Sequence, residues 1–302
     1  MGGGVAGADL AAAVSQAGGL GTIGILPADL LRLELGRSRE LTDRPIAVNL
    51  LLPFARAEHW EVAGEADAVV TFWGRPVRRT MGVWIHQCGS VAEAQAAHAG
   101  GADALIAQGV EAGGHVRGGL PALHLLERIR AVLPDQTVLL AGGIADAGDV
   151  RGALAAGADA VVAGTRFLLS EESAAHPEYK RRLLESDRTF LTRLFGLGWP
   201  AQHRVIPNAA TERWLRGDHR GPTAVRALQR MSAPLVSRLP LTAAGEMARR
   251  ARLEIPLYGP AAPLVSWPEH LVDTSPLYAG ESVARIRDIR PAAELVRSLA
   301  GS

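Results

Sequence analysis

The chain has 302 residues, of which 48% are hydrophobic and 21% are charged, so it can bury a full core and is not a disordered chain. One large domain or two small ones fit this length. The 32 basic and 31 acidic side chains leave a formal net charge of +1, which provides no basic field for a phosphate backbone. Nucleic acid is therefore excluded as a partner.

Cysteine and metal-ligand chemistry are equally sparse. Cys88 is the only cysteine, which rules out an intramolecular disulfide and a multi-cysteine metal site. No group of His, Asp and Glu has the spacing of metal ligands. The amino end has no Lys or Arg before its apolar stretch, and no later run is long enough to span a membrane. We expect a cytoplasmic protein without a metal or a membrane partner.

The most informative pattern is a repeated strand of buried type. Three apolar runs are entered through the dipeptide Ala-Asp, with the aspartates at Asp67, Asp103 and Asp159. The last two follow alanine-rich segments with helical spacing, at residues 91–99 and 150–156, and each helix ends near a glycine. This is the pattern of a helix that leads into a buried strand.

Seven strand-like runs occur up to residue 165, and their alternation with helical segments predicts an α/β fold with right-handed crossovers. That number is one short of the eight strands of a (β/α)8 TIM barrel. The connection Gly74–Met81 is too short and too basic for an ordinary crossover helix. We expect one barrel domain over residues 1–302. The seven predicted strands are 20–26, 46–52, 66–70, 83–86, 101–109, 137–141 and 157–165.

The pattern changes after about residue 170. A helical segment at 174–186 is followed by sequence rich in Pro, Arg and Trp, with helical stretches at 223–232 and 243–253. We expect residues 187–276 to form a cap, or lid, of helices and loops and not a second domain with its own sheet. Residues 281–299 are predicted to form a closing helix.

Two glycine loops follow strands and precede helices, one with Gly142 and Gly143 and the other with Gly164. Glycines at strand ends let backbone N–H groups converge on a phosphate, and in barrels this site belongs to the loops after strands seven and eight. One βα unit separates the two loops, so together they favour phosphate binding. Either loop alone is equally consistent with a chain turn or with close helix packing.

A third glycine cluster, AQGVEAGGH, covers residues 107–115. Taken with the motifs GGLG at 18–21, VNL at 48–50, AGGI at 141–144 and GTRF at 164–167, it resembles the nitronate monooxygenase family, formerly called 2-nitropropane dioxygenases. The resemblance covers almost the whole chain, and AQGxEAGGH is its most specific part.

This resemblance implies a TIM barrel that holds FMN non-covalently. It further implies oxidation of alkyl nitronates, and of nitroalkanes if a base is present, by O2 to a carbonyl compound and nitrite, through one-electron transfer to the flavin. His115 would face the substrate, with Trp73 and Tyr278 as further substrate contacts. Asn49 and Gln108 would contact the flavin ring. The FMN contacts that the resemblance implies are Gly2, Gly3, Asn49, Gln108, Gly113, Gly114, Gly142, Gly143, Val162, Ala163, Gly164 and Thr165.

One departure concerns the start of the chain. The family's first strand ends in Pro-Met just before the Gly-Gly segment, whereas this sequence begins at that methionine. Residues 1–4 would then be the first loop without its strand. Either the start codon is assigned too late and truncates the first strand, or another part of the protein closes the barrel. Because a missing strand exposes two edges of a barrel, we favour the late start codon.

Two histidines are candidates for chemistry. His115 follows two glycines, where the backbone brings a side chain close to a bound ring, and it suits a hydrogen-bond donor or a base near neutral pH. By spacing alone it is a surface loop histidine, and only the family pattern favours the catalytic role. His86 ends the fourth predicted strand, and we interpret it as a polar partner inside the barrel mouth. The nearby Arg75 and Arg78 fit either substrate selection or a solvated loop.

Other functions stay open at this point. An NADH-dependent FMN enoyl-acyl-carrier-protein reductase shares the barrel and the Gly-Gly-His loop. A flavin-free barrel acting on a phosphorylated metabolite would use the same glycines, although the mouth shows no evident Lys or paired carboxylates for proton transfer. A catalytically silent flavin or phosphate binder is a third possibility. The oligomeric state and the physiological substrate are not indicated.

Overall fold

The computed structural model describes residues 1–216, 218–236 and 241–301. Across these residues the strands form one parallel sheet of seven and one antiparallel sheet of three. In chain order the strands are β1 Gly21–Ile23, β2 Ile46–Leu51, β3 Ala68–Phe72, β4 Val83–Cys88, β5 Ala104–Gln108, β6 Gly114–His115, β7 Thr137–Ala141, β8 Ala160–Val162, β9 Phe190–Thr192 and β10 His203–Val205.

Helices cover the outer face of the large sheet and form most of the segment after residue 205. The α-helices are α1 Ala8–Gln16, α2 Ala28–Leu41, α3 Ala57–Ala63, α4 Val91–Ala99, α5 Ala122–Val132, α6 Ala147–Ala155, α7 Thr165–Leu168, α8 Pro177–Glu185, α9 Ala209–Trp214, α10 Thr223–Val236, α11 Leu241–Arg249 and α12 Ala292–Ala300. Two 3-10 helices occupy Glu269–Thr274 and Glu281–Arg285.

The parallel sheet confirms the predicted α/β barrel architecture. Its order is β1-β2-β3-β4-β5-β7-β8, and each of the seven strands lies within or overlaps a predicted run. Residues 73–82, all of them described, connect β3 to β4 without a helix, as their length and charge predicted. In this part of the chain β1 and β8 are the two ends of the sheet, so the described strands amount to seven of the eight of a TIM barrel.

The inner face of the barrel is lined by small and branched apolar side chains, whereas the outer face packs larger ones such as Trp84 and Leu105 against the helices. Alternation along each strand produces this division, because successive side chains point to opposite faces. A filled interior leaves the loops at the carboxyl ends of the strands to form a site. The inner-face cluster comprises Ala47, Ala68, Val70, Ile85, Ala104, Ile106 and Ala141.

The three Ala-Asp repeats have a shared role at the amino-terminal edge of the sheet. The Asp159 N–H donates to Val138 O at 2.9 Å, while its carboxylate accepts the Val138 N–H at 2.7 Å and pairs with Arg130. Each of the other two aspartates makes the same two hydrogen bonds, one through its backbone N–H and one through its carboxylate, to one residue of the preceding strand. Asp67 clasps Ile46 and pairs with Arg39, and Asp103 clasps Trp84 and pairs with Arg78.

We call these three arrangements the aspartate clasps. The hydrogen bond from Val138 and the nearby Arg130 lower the pKa of Asp159 below its ordinary value. For Asp67 and Asp103, desolvation raises the pKa, but the backbone hydrogen bond and the arginine outweigh it, so the pKa of each is also lowered. The carboxylates are therefore charged in the folded protein and fix the register of neighbouring strands.

The cap differs from its prediction in one respect. Besides helices α9 to α11, it contributes β9 and β10 to an antiparallel sheet, in which β10 also pairs with β6. The cap therefore contains two short strands besides its predicted helices and loops, and their sheet is shared with β6 of the barrel. Strands of three residues, such as Phe190–Thr192 and His203–Val205, are too short for an alternating pattern to stand out in the sequence.

The closing segment also differs from one continuous helix. Residues 281–285 form a 3-10 helix, and α12 begins only after Pro291. Pro291 has an extended backbone conformation and no N–H to donate within a helix. Of the predicted stretch 243–253, only the part up to Arg249 is helical, and residues 237–240 lie outside the described ones. Within the described residues, no helix is both long and apolar enough to cross a membrane.

We predict that Asp159→Ala lowers the free energy of unfolding by about 1–2 kcal/mol at pH 7, because it removes a charged acceptor from a backbone N–H. The folded-state pKa is lowered, so this stabilisation is present above the ordinary carboxyl pKa and is lost as the pH falls through the lowered value. Urea unfolding at pH 7 and at acidic pH measures both. Asp135→Ala, at an exposed loop position, is the control, and equal losses for the two variants would contradict the clasp.

Candidate active site

The carboxyl edge of the barrel brings together the loops that sequence analysis selected. Asn49 lies two residues after the inward-facing Ala47 and therefore faces the barrel interior near this edge. Its Nδ2 donates to Val70 O on the adjacent strand at 3.2 Å. The side chain is half-buried and held in place, with Oδ1 left for another partner.

Gln108 ends β5 and organises the glycine cluster that follows. Its Nε2 donates to His115 O at 3.0 Å, and its Oε1 accepts the Arg117 N–H at 3.3 Å. Both ends of the amide are therefore engaged with the backbone of the segment that carries His115. In this structure Gln108 acts as a support for that segment, which is a contact the sequence pattern did not indicate.

The predicted glycines fall into two groups. At Gly114, Gly164 and Gly3, a Cβ atom would meet no heavy atom within 4 Å, and at Gly143 it would meet only Glu111 Cγ at 3.8 Å. These positions border open space at the carboxyl edge. We call Gly114, Gly143 and Gly164 the glycine cradle.

The remaining glycines are packed against protein. A Cβ on Gly113 would lie 2.5 Å from Gly280 N, and one on Gly142 would lie 3.1 Å from Glu111 Cγ. Gly2 is bounded by Ile25 at 3.3 Å. These residues allow close approach of chain segments around the open space.

Thr165 and the loop before it are tied to the segment at 280–285. The Thr165 hydroxyl accepts the Gly280 N–H at 2.9 Å. The Arg285 guanidinium donates to Gly143 O at 2.8 Å and pairs with Asp149 at 2.8 Å. Both glycine loops are thus braced from outside by the end of the chain. Val162 at the end of β8 and the following Ala163 are partly exposed.

An aromatic cluster covers the mouth. His115 stacks on Trp199 with ring centroids 3.8 Å apart and an interplanar angle of 20°. Trp199 also makes edge contacts with Phe54 at 5.3 Å and Trp73 at 5.1 Å. On its other sides His115 meets His203 at 5.3 Å and Tyr278 at 5.4 Å. The members of the aromatic cluster are Phe54, Trp73, His115, Trp199, His203 and Tyr278.

Burial sets the electrostatics of this cluster. Desolvation, with a smaller contribution from His203, lowers the pKa of His115 well below its ordinary value. The imidazole is therefore neutral at pH 7 and acts through a lone pair or one N–H. Its Nε2 atom is buried without a hydrogen-bond partner.

The two residues predicted to contact substrate differ in how they are held. The Tyr278 hydroxyl donates to Pro260 O at 2.8 Å, so Tyr278 contributes its ring to the site. Trp73 has a φ of 64°, a left-handed backbone conformation that is rare for a bulky residue. Its Nε1 is buried without a partner, and Arg117 lies 4.7 Å above its ring. Trp73 thus combines a strained backbone with an unpaired buried donor, two features that cluster at functional sites.

His86 is not in the barrel mouth. Its Nδ1 lies 2.7 Å from Thr71 Oγ1, which also accepts the Trp84 Nε1–H at 2.8 Å. Trp84 belongs to the outer core between sheet and helices, so His86 points to that side and the interpretation as a mouth residue is wrong. Successive residues of a strand point to opposite faces. The sequence does not fix which residues of β4 face inward, so it could not assign His86 to the outer face.

Two site residues escaped sequence analysis, namely Trp199 and His203. Both lie in the cap segment, more than 80 positions from His115, and no local pattern connects them to it. The only signal in the sequence is that two residues with aromatic rings, Trp199 and His203, lie four positions apart in an irregular stretch.

The fold is that of a TIM-barrel oxidoreductase. A solved structure of a nitroalkane oxidase from Streptomyces ansochromogenes superposes over 100% of this chain and 93% of its own, with a TM-score of 0.76 and 30% sequence identity. FabK from Thermotoga maritima also has a TM-score of 0.76, with 28% identity over 100% of this chain and 90% of its own.

The chain belongs to the nitronate monooxygenase family, a family of flavin-dependent oxidoreductases. The family model described as nitronate monooxygenase matches residues 1–86 and 78–301. Nitronate monooxygenase from Pseudomonas aeruginosa is 35% identical over an alignment of 245 residues that covers 61% of this chain and 69% of that protein. The chain spans 60 to 69% of the length of four curated relatives.

We predict that Trp199→Leu raises the pKa of His115 toward the ordinary histidine value, because the loss of the indole stack admits water to the ring. An NMR titration of the histidine signals measures this pKa, with the His115 signal assigned by its disappearance in His115→Gln. Trp60→Leu, on α3 and outside the aromatic cluster, serves as the control. A pKa that does not change in Trp199→Leu would show that the stack does not desolvate His115.

Proposed function

We propose that this chain catalyses the FMN-dependent oxidation of alkyl nitronates and nitroalkanes by O2 to a carbonyl compound and nitrite. The observation that carries the proposal is the position of His115, buried and neutral, within the segment that also contributes Gly114 to the glycine cradle. Family membership supports the reaction class. The solved nitroalkane oxidase with 30% identity supports the substrate class.

The residues at the carboxyl edge fit a flavin mononucleotide. A Cβ on Gly164 would meet no heavy atom within 4 Å, and one on Gly143 would meet only Glu111 Cγ at 3.8 Å, so these loops leave room for a phosphate beside their backbone N–H groups. Val162, Ala163 and Thr165 would complete that end. Asn49, with a free amide oxygen, would contact the ring together with Gly114, and Gly3 would border it from the first loop. The bound flavin would supply the redox chemistry.

The protein's own contribution is to position and enclose the substrate. The aromatic cluster excludes water from the mouth, which strengthens polar interactions there. A nitronate is already an anion and needs no proton transfer from the enzyme. A neutral nitroalkane must lose a proton from the carbon that carries the nitro group, and the neutral imidazole of His115 is the group placed to accept it.

Trp73 and Tyr278 would limit the substrate to small or apolar alkyl groups. Their rings, with Trp199, form the walls around His115. The unpaired Nε1 of Trp73 is a buried donor that a nitro oxygen would satisfy. Arg117 is paired with Glu93 and stacked on Trp73, so it supports this wall.

The visible absorption spectrum of the purified protein tests the cofactor first. We expect a flavin spectrum that changes on anaerobic addition of an alkyl nitronate and resists NADH. Bleaching by NADH would instead indicate the reductase. A colourless protein that does not take up FMN would indicate a flavin-free barrel, and bound FMN without turnover of any nitronate or nitroalkane would indicate a silent binder.

We predict that Gly164→Val removes most of the bound flavin while leaving the free energy of unfolding of the flavin-free protein nearly unchanged. The added side chain meets no protein atom within 4 Å of its Cβ but occupies the space assigned to the phosphate. Flavin content per chain after gel filtration is the measurement. Gly152→Val, at an exposed position of α6 with equally open surroundings, is the control. Full flavin content in Gly164→Val would contradict the phosphate assignment.

We predict that His115→Asn retains the flavin but lowers kcat/KM for a neutral nitroalkane at least about tenfold, or about 1.4 kcal/mol in transition-state stabilisation. The loss with a pre-formed nitronate should be smaller, because no proton is removed. Steady-state oxygen consumption with both forms of one substrate measures the difference. Unchanged kinetics with both forms would remove His115 from the site.

A further inference from the structure

His115 and His203 are directly opposite each other in the small antiparallel sheet, where β6 pairs with β10. Their ring centroids are 5.3 Å apart. The Nε2 atom of each ring is buried and has no hydrogen-bond partner. A buried polar atom without a partner costs about 1–3 kcal/mol, so two such atoms in adjacent rings require an explanation.

The hydrogen bond on the far side of His203 defines its tautomer. Nδ1 of His203 lies 3.0 Å from Ala201 O, and a carbonyl oxygen accepts but does not donate. Nδ1 therefore carries the hydrogen. Desolvation lowers the pKa of His203 to about 4, so the ring is neutral at pH 7 and its Nε2 is an unprotonated acceptor.

The spacing of the two rings suits a bond between them. Each ring nitrogen lies roughly 1 Å from its ring centre, so centroids 5.3 Å apart bring two facing nitrogens to about 3 Å, within the range of an N–H···N hydrogen bond. In the structure the ring planes meet at 61° and no hydrogen bond joins them, so the bond would form when the His115 ring turns about its Cβ–Cγ bond while His203 keeps its bond to Ala201 O. Tyr278, the other ring that touches both histidines, donates its hydroxyl to Pro260 O and is not an alternative partner.

We propose that His203 is a positioning residue that accepts the Nε2–H of His115 and thereby leaves Nδ1 of His115 as a lone pair toward the substrate. This pairing satisfies both buried Nε2 atoms at once. The pairing requires the Nδ1–H tautomer in His203 and the Nε2–H tautomer in His115. The Ala201 carbonyl selects the Nδ1–H tautomer of His203.

The pairing determines the chemistry that His115 performs, and this part rests on the proposed function. With its lone pair on Nδ1, His115 is a base and not a hydrogen-bond donor to the nitro oxygens. Nδ1 takes the proton from the substrate carbon, the C–H bond breaks, and its electron pair moves into the nitro group to form the nitronate. As His115 becomes cationic, the Nε2–H bond to His203 disperses the charge.

Two substitutions of His203 separate this role from mere packing. Gln has an amide that reaches the position of the His203 Nε2 and offers an oxygen acceptor there, whereas Asn ends at the position of Nδ1 and keeps only the bond to Ala201 O. Both remove the aromatic ring, so a general packing defect affects them alike. His124→Asn, at an exposed position of α5, is the surface control.

The first experiment determines the tautomer of His115 by ¹⁵N NMR of the full chain without flavin, with the signal assigned through His115→Gln. We expect the Nε2–H tautomer in the wild type, its retention in His203→Gln, and a mixture of tautomers in His203→Asn. An Nδ1–H tautomer in the wild type, or a tautomer that is unchanged in His203→Asn, would overturn the proposal. This readout does not depend on any turnover.

The second experiment compares neutral nitroalkane with its pre-formed nitronate. We expect His203→Asn to lower kcat/KM for the nitroalkane at least about tenfold, His203→Gln to stay within about threefold of the wild type, and nitronate oxidation to change less in both. Equal losses for both substrates, or for both variants, would overturn the role of His203. A wild-type protein inactive on both substrates would defeat the proposed function, and the tautomer measurement would still decide on the histidine pair.

Discussion

The aspartate clasps are the constraint on which the rest of the molecule depends. In each, the carboxylate of one aspartate accepts the N–H of a residue on the preceding strand, the aspartate's backbone N–H donates to that residue's carbonyl, and an arginine pairs with the carboxylate. Because the clasps lie at the amino-terminal edge, they align the strands in register, and the carboxyl ends converge on the opposite side. The glycine cradle and Asn49 share one edge for this reason.

A barrel alone does not complete the site. The aromatic cluster combines residues from the loops after β2 and β3, from β6, from the cap and from the segment near Tyr278. Strand β10 joins these parts, since it pairs with β6 through His203 and approaches Tyr278 through Val205. Arg204, next to His203, also donates to Val110 O in the loop after β5. The cap thus contributes side chains to the candidate site as well as covering it.

Much of the fold was predictable because it rests on local patterns. The Ala-Asp runs, the alanine-rich helices and the short basic connection before β4 all lead to the observed parallel sheet. The glycine loops could be placed at strand ends from the sequence, although either loop alone was equally consistent with a chain turn or with helix packing. By spacing alone His115 was a surface loop histidine, and only the family resemblance predicted that it faces the substrate.

What escaped prediction depends on side-chain direction or on contacts between distant segments. His86 was placed on the wrong face because one residue of register decides the face of a strand. The sheet of β6, β9 and β10 has strands of two or three residues, which carry no periodic signal. His203 and Trp199 meet His115 only after the cap folds, so no spacing in the sequence reveals the pair.

The two-residue strand β6 has a consequence for the order of folding. His115 is held by Gln108 from within the barrel, but its partners Trp199, His203 and Tyr278 are separated from it by some 84 to 163 positions. Contacts over such separations form after local ones, because the loop that joins them must first lose its entropy. A partly unfolded form that keeps the parallel sheet and opens the cap would retain most helices and lose the site. Loss of activity would therefore precede loss of secondary structure as this protein is heated or denatured.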